Sequence, residues 1–278
     1  FDDKHAGEGK TVTVLGITVE GVDKGNYTAN SVAEDTASIA KEVLEISISA
    51  ENRTYDGTTD AYTSASITGG LLENDVVTVS SSNGSFADKV AGPGKTVTAD
   101  VFISGGADAG NYEANTSATT TASITPKEAE VSLQTPVHYI DEKDPLPEFN
   151  FVYEGLIAGD AVNNTYSVSR ESDDITYSQS SSTSAGTYSV TPTPSNDNYN
   201  FTTIAGVLYV NPSGPGTRAV RPVLNCIEEL TSGSFVANFE YMNENDVAVH
   251  LPVGPNNMLE GTGIDWDISE PQPTSFEP

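Results

Sequence analysis

The stretch FDDKHAGEGKTVTVLGITVEGVDKGNYTANSVAEDTASIA, residues 1–40, returns without a gap as FADKVAGPGKTVTADVFISGGADAGNYEANTSATTTASIT, residues 86–125. About half of the aligned positions are identical, and a period of about 85 residues is the size of a small domain, not of a solenoid turn. In the second copy Val97, Ala99, Val101 and Ile103 alternate with polar residues, and Val12 and Val14 do so in the first. Alternation with a period of two marks a strand with one buried face. The copies diverge after Val14, where the apolar phase slips to Leu15, Ile17 and Val19. A bulge near Gly16 accounts for that slip. Tandem domain copies supply length, valency or mechanical reach, which one-off chemistry does not need.

Outward from the duplication the same pattern continues. Phe149, Phe151 and Tyr153 alternate, as do Val207 and Tyr209, and then Phe235, Ala237, Phe239 and Tyr241. Gly, Asn and Asp clusters separate these runs, and no long segment has apolar residues at helical spacing. The chain therefore reads as all-β, a tandem series of small β-sandwich (Ig-like) modules in an elongated array. Short alternating strands suit an immunoglobulin-like sandwich and a β-grasp variant alike. With eight-residue strands about 26 Å long, three or four modules in line reach on the order of 100 Å.

Five segments follow. Residues 1–40 are the back half of a repeat, and 41–126 are a complete one. Residues 127–212 are a diverged relative: Gly155-Leu156-Ile157-Ala158-Gly159-Asp160 answers Gly70-Leu71-Leu72-Glu73-Asn74-Asp75, and Asp197-Asn198-Tyr199 answers Gly110-Asn111-Tyr112. The Pro- and Gly-rich residues 213–222 are a linker. Residues 223–278 are a further β module. Its predicted hairpin joins 235–241 to 247–251 across the polar turn 242–246. Its Pro-rich end supplies no closing strand, so it is read as truncated. Because Phe1 falls inside a repeat, the chain is expected to be a window cut from a longer array.

Composition narrows the partners. Of 278 residues 40 are acidic and 12 basic, a net charge of −28. Phosphate recognition needs Lys and Arg, which argues against nucleic acid, and anionic lipid is disfavoured for the same reason. A charge this large suits a solvated surface or one that gathers cations. No apolar run approaches ~18 residues, so no helical membrane insertion is expected. Cys226 is the one cysteine, which rules out an intrachain disulfide.

Tyr55-Asp56-Gly57, followed by FADK, GKTVT, GADAGNY and TASITPK, resembles the YDG-type repeat of large bacterial surface proteins. The resemblance covers 1–40 as a half unit and 41–127 as a whole one. Residues 131–212 resemble the MBG-type (mucin-binding-like) repeat through Tyr139, Pro145-Leu146-Pro147, Tyr153-Glu154-Gly155-Leu156 and Asn198-Tyr199. There Ile140-Asp141-Glu142 replaces the family's Tyr-Gly-Asp-like turn. The segment from Val223 is similar to C-terminal modules of such proteins, through VRPVLNC and LPVGPNN. These resemblances imply a secreted, adhesin-like protein of the bacterial cell surface. They bring no catalytic residues and no named ligand; a host or environmental glycan or protein is the implied class. Self-association into fibres by strand exchange is the structural alternative, because an open sheet edge accepts a strand.

Residue chemistry agrees with a non-enzymatic reading. His5, His138 and His250 lie in three different modules, and position 90 of the second copy carries Val where the first has His5. No catalytic constellation and no clustered zinc ligands emerge. Calcium is the cation that the acidic turns leave open, at Asp141, Glu142 and Asp144, at Glu171, Asp173 and Asp174, or at Asp265 and Asp267. Trp266, between two carboxylates, is the candidate platform for stacking on a sugar. Thr36, in Asp35-Thr36-Ala37, resembles a bacterial O-glycosylation signal. The tyrosines Tyr27, Tyr112 and Tyr199 are expected to start inward-facing strands, after turns in which Gly25 and Gly110 take positive φ.

Overall fold

The computed structural model describes residues 1–177, 185–254, 257 and 273–278. They are all-β: twenty strands and two short 3-10 turns, with no α-helix among the described residues. The chain forms two compact units. The first comprises Phe1–Lys127 with the turn Asp197–Tyr199, and the second Glu128–Asn196 with Asn200–Pro278.

Strands β1 (Gly7–Leu15) and β2 (Val32–Ile39) form the half repeat, an antiparallel pair. The complete repeat contains β3 (Glu42–Ala50), β4 (Arg53–Thr54), β5 (Thr63–Gly69), β6 (Thr78–Phe86), β7 (Gly92–Gly105), β8 (Tyr112–Ala114) and β9 (Ser117–Thr125). They make a three-stranded sheet, β5-β3-β8, and a four-stranded one, β4-β9-β7-β6. Ile46 and Ile48 of β3 pack on Ala99 and Val101 of β7, and Val97 and Ile124 are buried beside them. Period-two patterning therefore identifies the inward face of β7 correctly.

The next module has the same plan. Its strands are β10 (Lys127–Leu133), β11 (Val137–Asp141), β12 (Phe151–Glu154), β13 (Asn163–Arg170), β14 (Gly186–Ser195), β15 (Tyr199–Thr203) and β16 (Gly206–Asn211). The sheets are β12-β10-β15 and β11-β16-β14-β13. Strand for strand these match β5-β3-β8 and β4-β9-β7-β6. Even the parallel pair recurs, as β4 with β9 and β11 with β16. The second core joins Leu133, Phe149, Val168, Tyr177, Tyr188, Val190, Leu208 and Val210. Both modules are two-sheet sandwiches, and the faint sequence echoes reflect one topology.

The Tyr55-Asp56-Gly57 motif holds the entry to the complete repeat. Tyr55 is buried and its N–H donates to Thr125 O at 2.8 Å. Asp56 accepts from the Thr58 N–H and hydroxyl, both at 2.9 Å, and pairs with Arg53. Gly57 has φ +83°, where a side chain would be strained.

Several expectations need correction. The bulge of the half repeat lies between Gly7 and Lys10, not near Gly16, and recurs between Gly92 and Lys95. At Gly16, β1 has ended and the chain turns with φ +72°. Gly25 and Gly110 sit in the 3-10 turns Lys24–Asn26 and Ala109–Asn111, not at positive φ. In β16 the core side is Leu208 and Val210, while Val207 and Tyr209 face the other way. The hairpin between 235–241 and 247–251 does not form. Instead β18 (Phe235–Met242) pairs with β17 (Arg221–Glu229), and β19 (Val249–His250) pairs with β20 (Ser275–Phe276). The apolar residues of β18 are exposed, Phe235 at 67%. The Pro-rich end thus does supply a strand. The linker is anchored, because Glu142 accepts from Ser213 N–H, and Arg218 N–H donates to Asn245 Oδ1.

Candidate functional site

The half repeat and the complete repeat meet through a cluster of charged and amide side chains. Lys4, in the FDDK segment before β1, reaches two carboxylates of the complete repeat. Its Nζ is 2.8 Å from Asp75 Oδ1 and 2.8 Å from Asp108 Oδ1. Two residues on, Ala6 N–H donates to Asn111 Oδ1 at 2.9 Å.

Each acceptor is fixed by its own turn. Asp75 closes the Gly70–Asp75 turn, donating its N–H to Leu72 O at 3.2 Å. Gly70 enters that turn at φ +83°, and a Cβ there would lie 1.9 Å from Val43 O. Only glycine fits so close an approach. Asp108 precedes the 3-10 turn, where its Oδ2 accepts from Val76 N–H at 2.9 Å. Tyr112 ties the two turns together. Its hydroxyl donates to Asp75 Oδ2 at 2.8 Å and accepts from Leu72 N–H at 3.2 Å.

Lys4 holds the carboxyls of Asp75 and Asp108 below the ordinary carboxylate value, by hydrogen bond and by charge. Asp108 above all, then Asp75, raises the Lys4 ammonium pKa in turn. Burial of the Tyr112 ring is the first cause that pushes its phenol up, and the Asp75 charge adds to it. The cluster stays ionised across the ordinary pH range. It is a fixed clasp and lacks the poised acid or base that catalysis needs.

The clasp repeats. Ala91 N–H donates to Asn198 Oδ1 at 2.8 Å, as Ala6 does to Asn111. Tyr199, beside Asn198, is buried and meets Tyr55 edge-on at 5.5 Å. Sequence reading fastened on the tyrosines of the Asn-Tyr turns and missed the asparagines. The signal was present, since Asn26, Asn111 and Asn198 recur, as do Lys4 and Lys89, and Asp75 and Asp160.

The other candidate residues do not join this site. Thr36 lies on β2, exposed, and its N–H donates to Asp35 Oδ1 at 2.8 Å. His5 is exposed, His138 packs edge-on against Phe149, and His250 stacks on Tyr209. Trp266, Asp265 and Asp267 lie outside the described residues. Of the acidic turns, Glu142 accepts from Ala185 and Ser213 N–H groups, and Asp173 pairs with Arg170. Among the described residues no cluster of three or more His, Cys, Asp or Glu is placed to hold a metal ion.

These features define a class: tandem β-sandwich modules that share one topology. Family models agree with it. The YDG domain matches residues 40–122, and the MBG domain (YGX type) matches residues 139–209. The chain thus carries YDG-type and MBG-type repeats, a β-rich region like those of adhesins. Both are binding or structural modules and not known enzymes. No curated protein matches. Among solved structures, the N-terminal four Ig domains of Dscam1 isoform 9.44, crystallised with zinc, align at 13% identity and a TM-score of 0.24. That alignment covers 63% of this chain and 45% of the Dscam1 chain.

Proposed function

We propose that this chain is a non-enzymatic, extracellular part of a repetitive bacterial surface protein, a stalk that holds a binding region away from the cell. The observation that carries this reading is the clasp. Lys4 and Ala6 of one repeat engage Asp75, Asp108 and Asn111 of the next, and Ala91 engages Asn198. Ion pairs and a hydrogen bond that fasten the half repeat to the complete repeat within the first unit suit a spacer under load. The test is antibody labelling of intact cells that make the protein, with antibodies raised against residues 41–126. Surface labelling is expected; labelling confined to permeabilised cells refutes the extracellular reading.

A second reading, a fibre assembled by strand exchange, is favoured by one observation. The half repeat exposes residues whose counterparts are core. Val14 is 53% exposed and Ala99 1%; Tyr27 is 69% exposed and Tyr112 2%. The stalk reading stands first because the clasp contacts support it directly. Concentration-dependent filaments in electron micrographs would reverse that order.

A further inference from the structure

The second compact unit contains a joint of different chemistry. His250, on β19, is 8% exposed. Its imidazole lies flat on the Tyr209 ring of β16, with centroids 3.8 Å apart and planes 16° from parallel. Asn211, at the end of β16, brackets the same residue's backbone. Its Oδ1 accepts from His250 N–H at 2.7 Å, and its Nδ2 donates to His250 O at 2.9 Å. One side-chain amide thus replaces the two peptide groups a neighbouring strand would offer. β19 is two residues long and pairs with the two-residue β20. Ladder bonds this few hold little by themselves, so the ring stack and the Asn211 bracket fasten the C-terminal strands to the MBG-type module.

We propose that this joint is an acid-released latch, closed while His250 is neutral and opened by its protonation. The reasoning starts from burial. A charged imidazolium in a dry site loses hydration that the neutral ring does not need. Burial lowers the His250 pKa, and Glu277 opposes it by favouring the cation. The aromatic face of Tyr209 also favours the cation, so the latch depends on burial outweighing both. Other titratable groups nearby are His138, Tyr139 and Asp141 on β11, Glu142 just after it, and Tyr241 on β18; His138 packs edge-on against Phe149. Tyr139 packs on Tyr209, Glu142 is engaged by backbone N–H groups, and Tyr241 accepts from Glu277 N–H. In the loop before β19, Glu244 is paired with Arg218 and Arg221. For a base whose docked pKa lies below its free value, docking is full above the free value. It weakens as the pH falls through it, from about 6.5 downward.

Amide hydrogen exchange on the whole chain, corrected for intrinsic pH dependence, reads the latch directly. The reporters are His250 N–H, held by Asn211, and Leu251 N–H, held by Thr274 O at 3.0 Å. Their protection is expected to be constant above pH 7 and to fall progressively as the pH drops below about 6.5, while amides of β3 in the first unit stay protected. In His250→Gln, which cannot titrate, protection should not change over that range. Unchanged protection in the native chain down to pH 4.5, or an equal loss in His250→Gln, overturns the proposal. Should the Gln variant be undocked at every pH, the His250 titration in the native chain decides, followed by ring-proton resonances. A midpoint below that of free imidazole supports the latch, and one at or above it overturns it.

Discussion

Tyr27 and Tyr112 are the same residue of the repeat in two circumstances. Tyr112 is buried, and its hydroxyl joins Asp75 to Leu72 N–H; Tyr27 is open to solvent. Tyr112→Phe should therefore destabilise the complete repeat by about 1 kcal/mol, since a part-buried carboxylate and N–H lose a partner. Tyr27→Phe should leave thermal melting unchanged, and a similar loss at both positions would contradict the assignment. Asn111→Ala removes the acceptor for Ala6 N–H. A neutral hydrogen bond is worth about 1 kcal/mol net, so exchange at Ala6 should quicken roughly fivefold, with the β3 amides unaffected. The ionic part of the clasp has its own pH signature. The pKa values of Asp75 and Asp108 are depressed, so their contribution is complete above the ordinary carboxylate value and fades only below it. Lys4 is shifted upward, so its part is lost only in strong alkali. Protection of the Ala6 amide should thus be flat from about pH 5 to pH 9, across the range where the His250 joint gives way.

Among elements, strands were legible in the sequence wherever one face was polar. Val97, Ala99 and Val101 fall inward in β7 because Thr96, Thr98 and Asp100 between them face solvent. β16 has no such contrast. Val207, Leu208, Tyr209 and Val210 form one apolar run, so the run marks a strand but not its phase. Alternation alone places Tyr209 in the core, because nothing in the chain announces that His250 covers its ring. Pairing of β18 was misread for a related reason. Its partner β17 carries Asn225, Glu228 and Glu229 and lacks alternation, whereas 247–251 looks apolar. The clasp was not read because Lys4, Asp75 and Asp108 are distant in the chain and become one site only when the sheets close. The half repeat gives a matched pair of substitutions. Val97→Ala, in a complete core, should cost about 2 kcal/mol. Val12→Ala, at the equivalent place in β1, should cost well under half as much by differential calorimetry. Equal costs would mean that the β1–β2 face is covered in solution.

For the chain as a whole, the excess of 40 acidic over 12 basic residues acts on every module at once. Like charges repel most in the compact state, and salt reduces that repulsion. The screening length falls from about 30 Å at 0.01 M to about 10 Å at 0.1 M ionic strength. Melting temperatures should therefore rise as sodium chloride increases from 10 to 200 mM, while the clasp pairs, which salt weakens, offset only part of the gain. This screening also has to be separated from specific cation binding. Glu142 and Asp173, one from each described acidic turn, are already engaged by protein donors. Carboxylates so occupied have few lone pairs aimed at a common point, which a calcium ion requires. Calcium and magnesium chloride at matched ionic strength should accordingly shift melting equally. A shift several degrees larger with calcium would reveal a built site. Repeating the comparison with Asp265→Asn/Asp267→Asn would then show whether the acidic pair beside Trp266 supplies it.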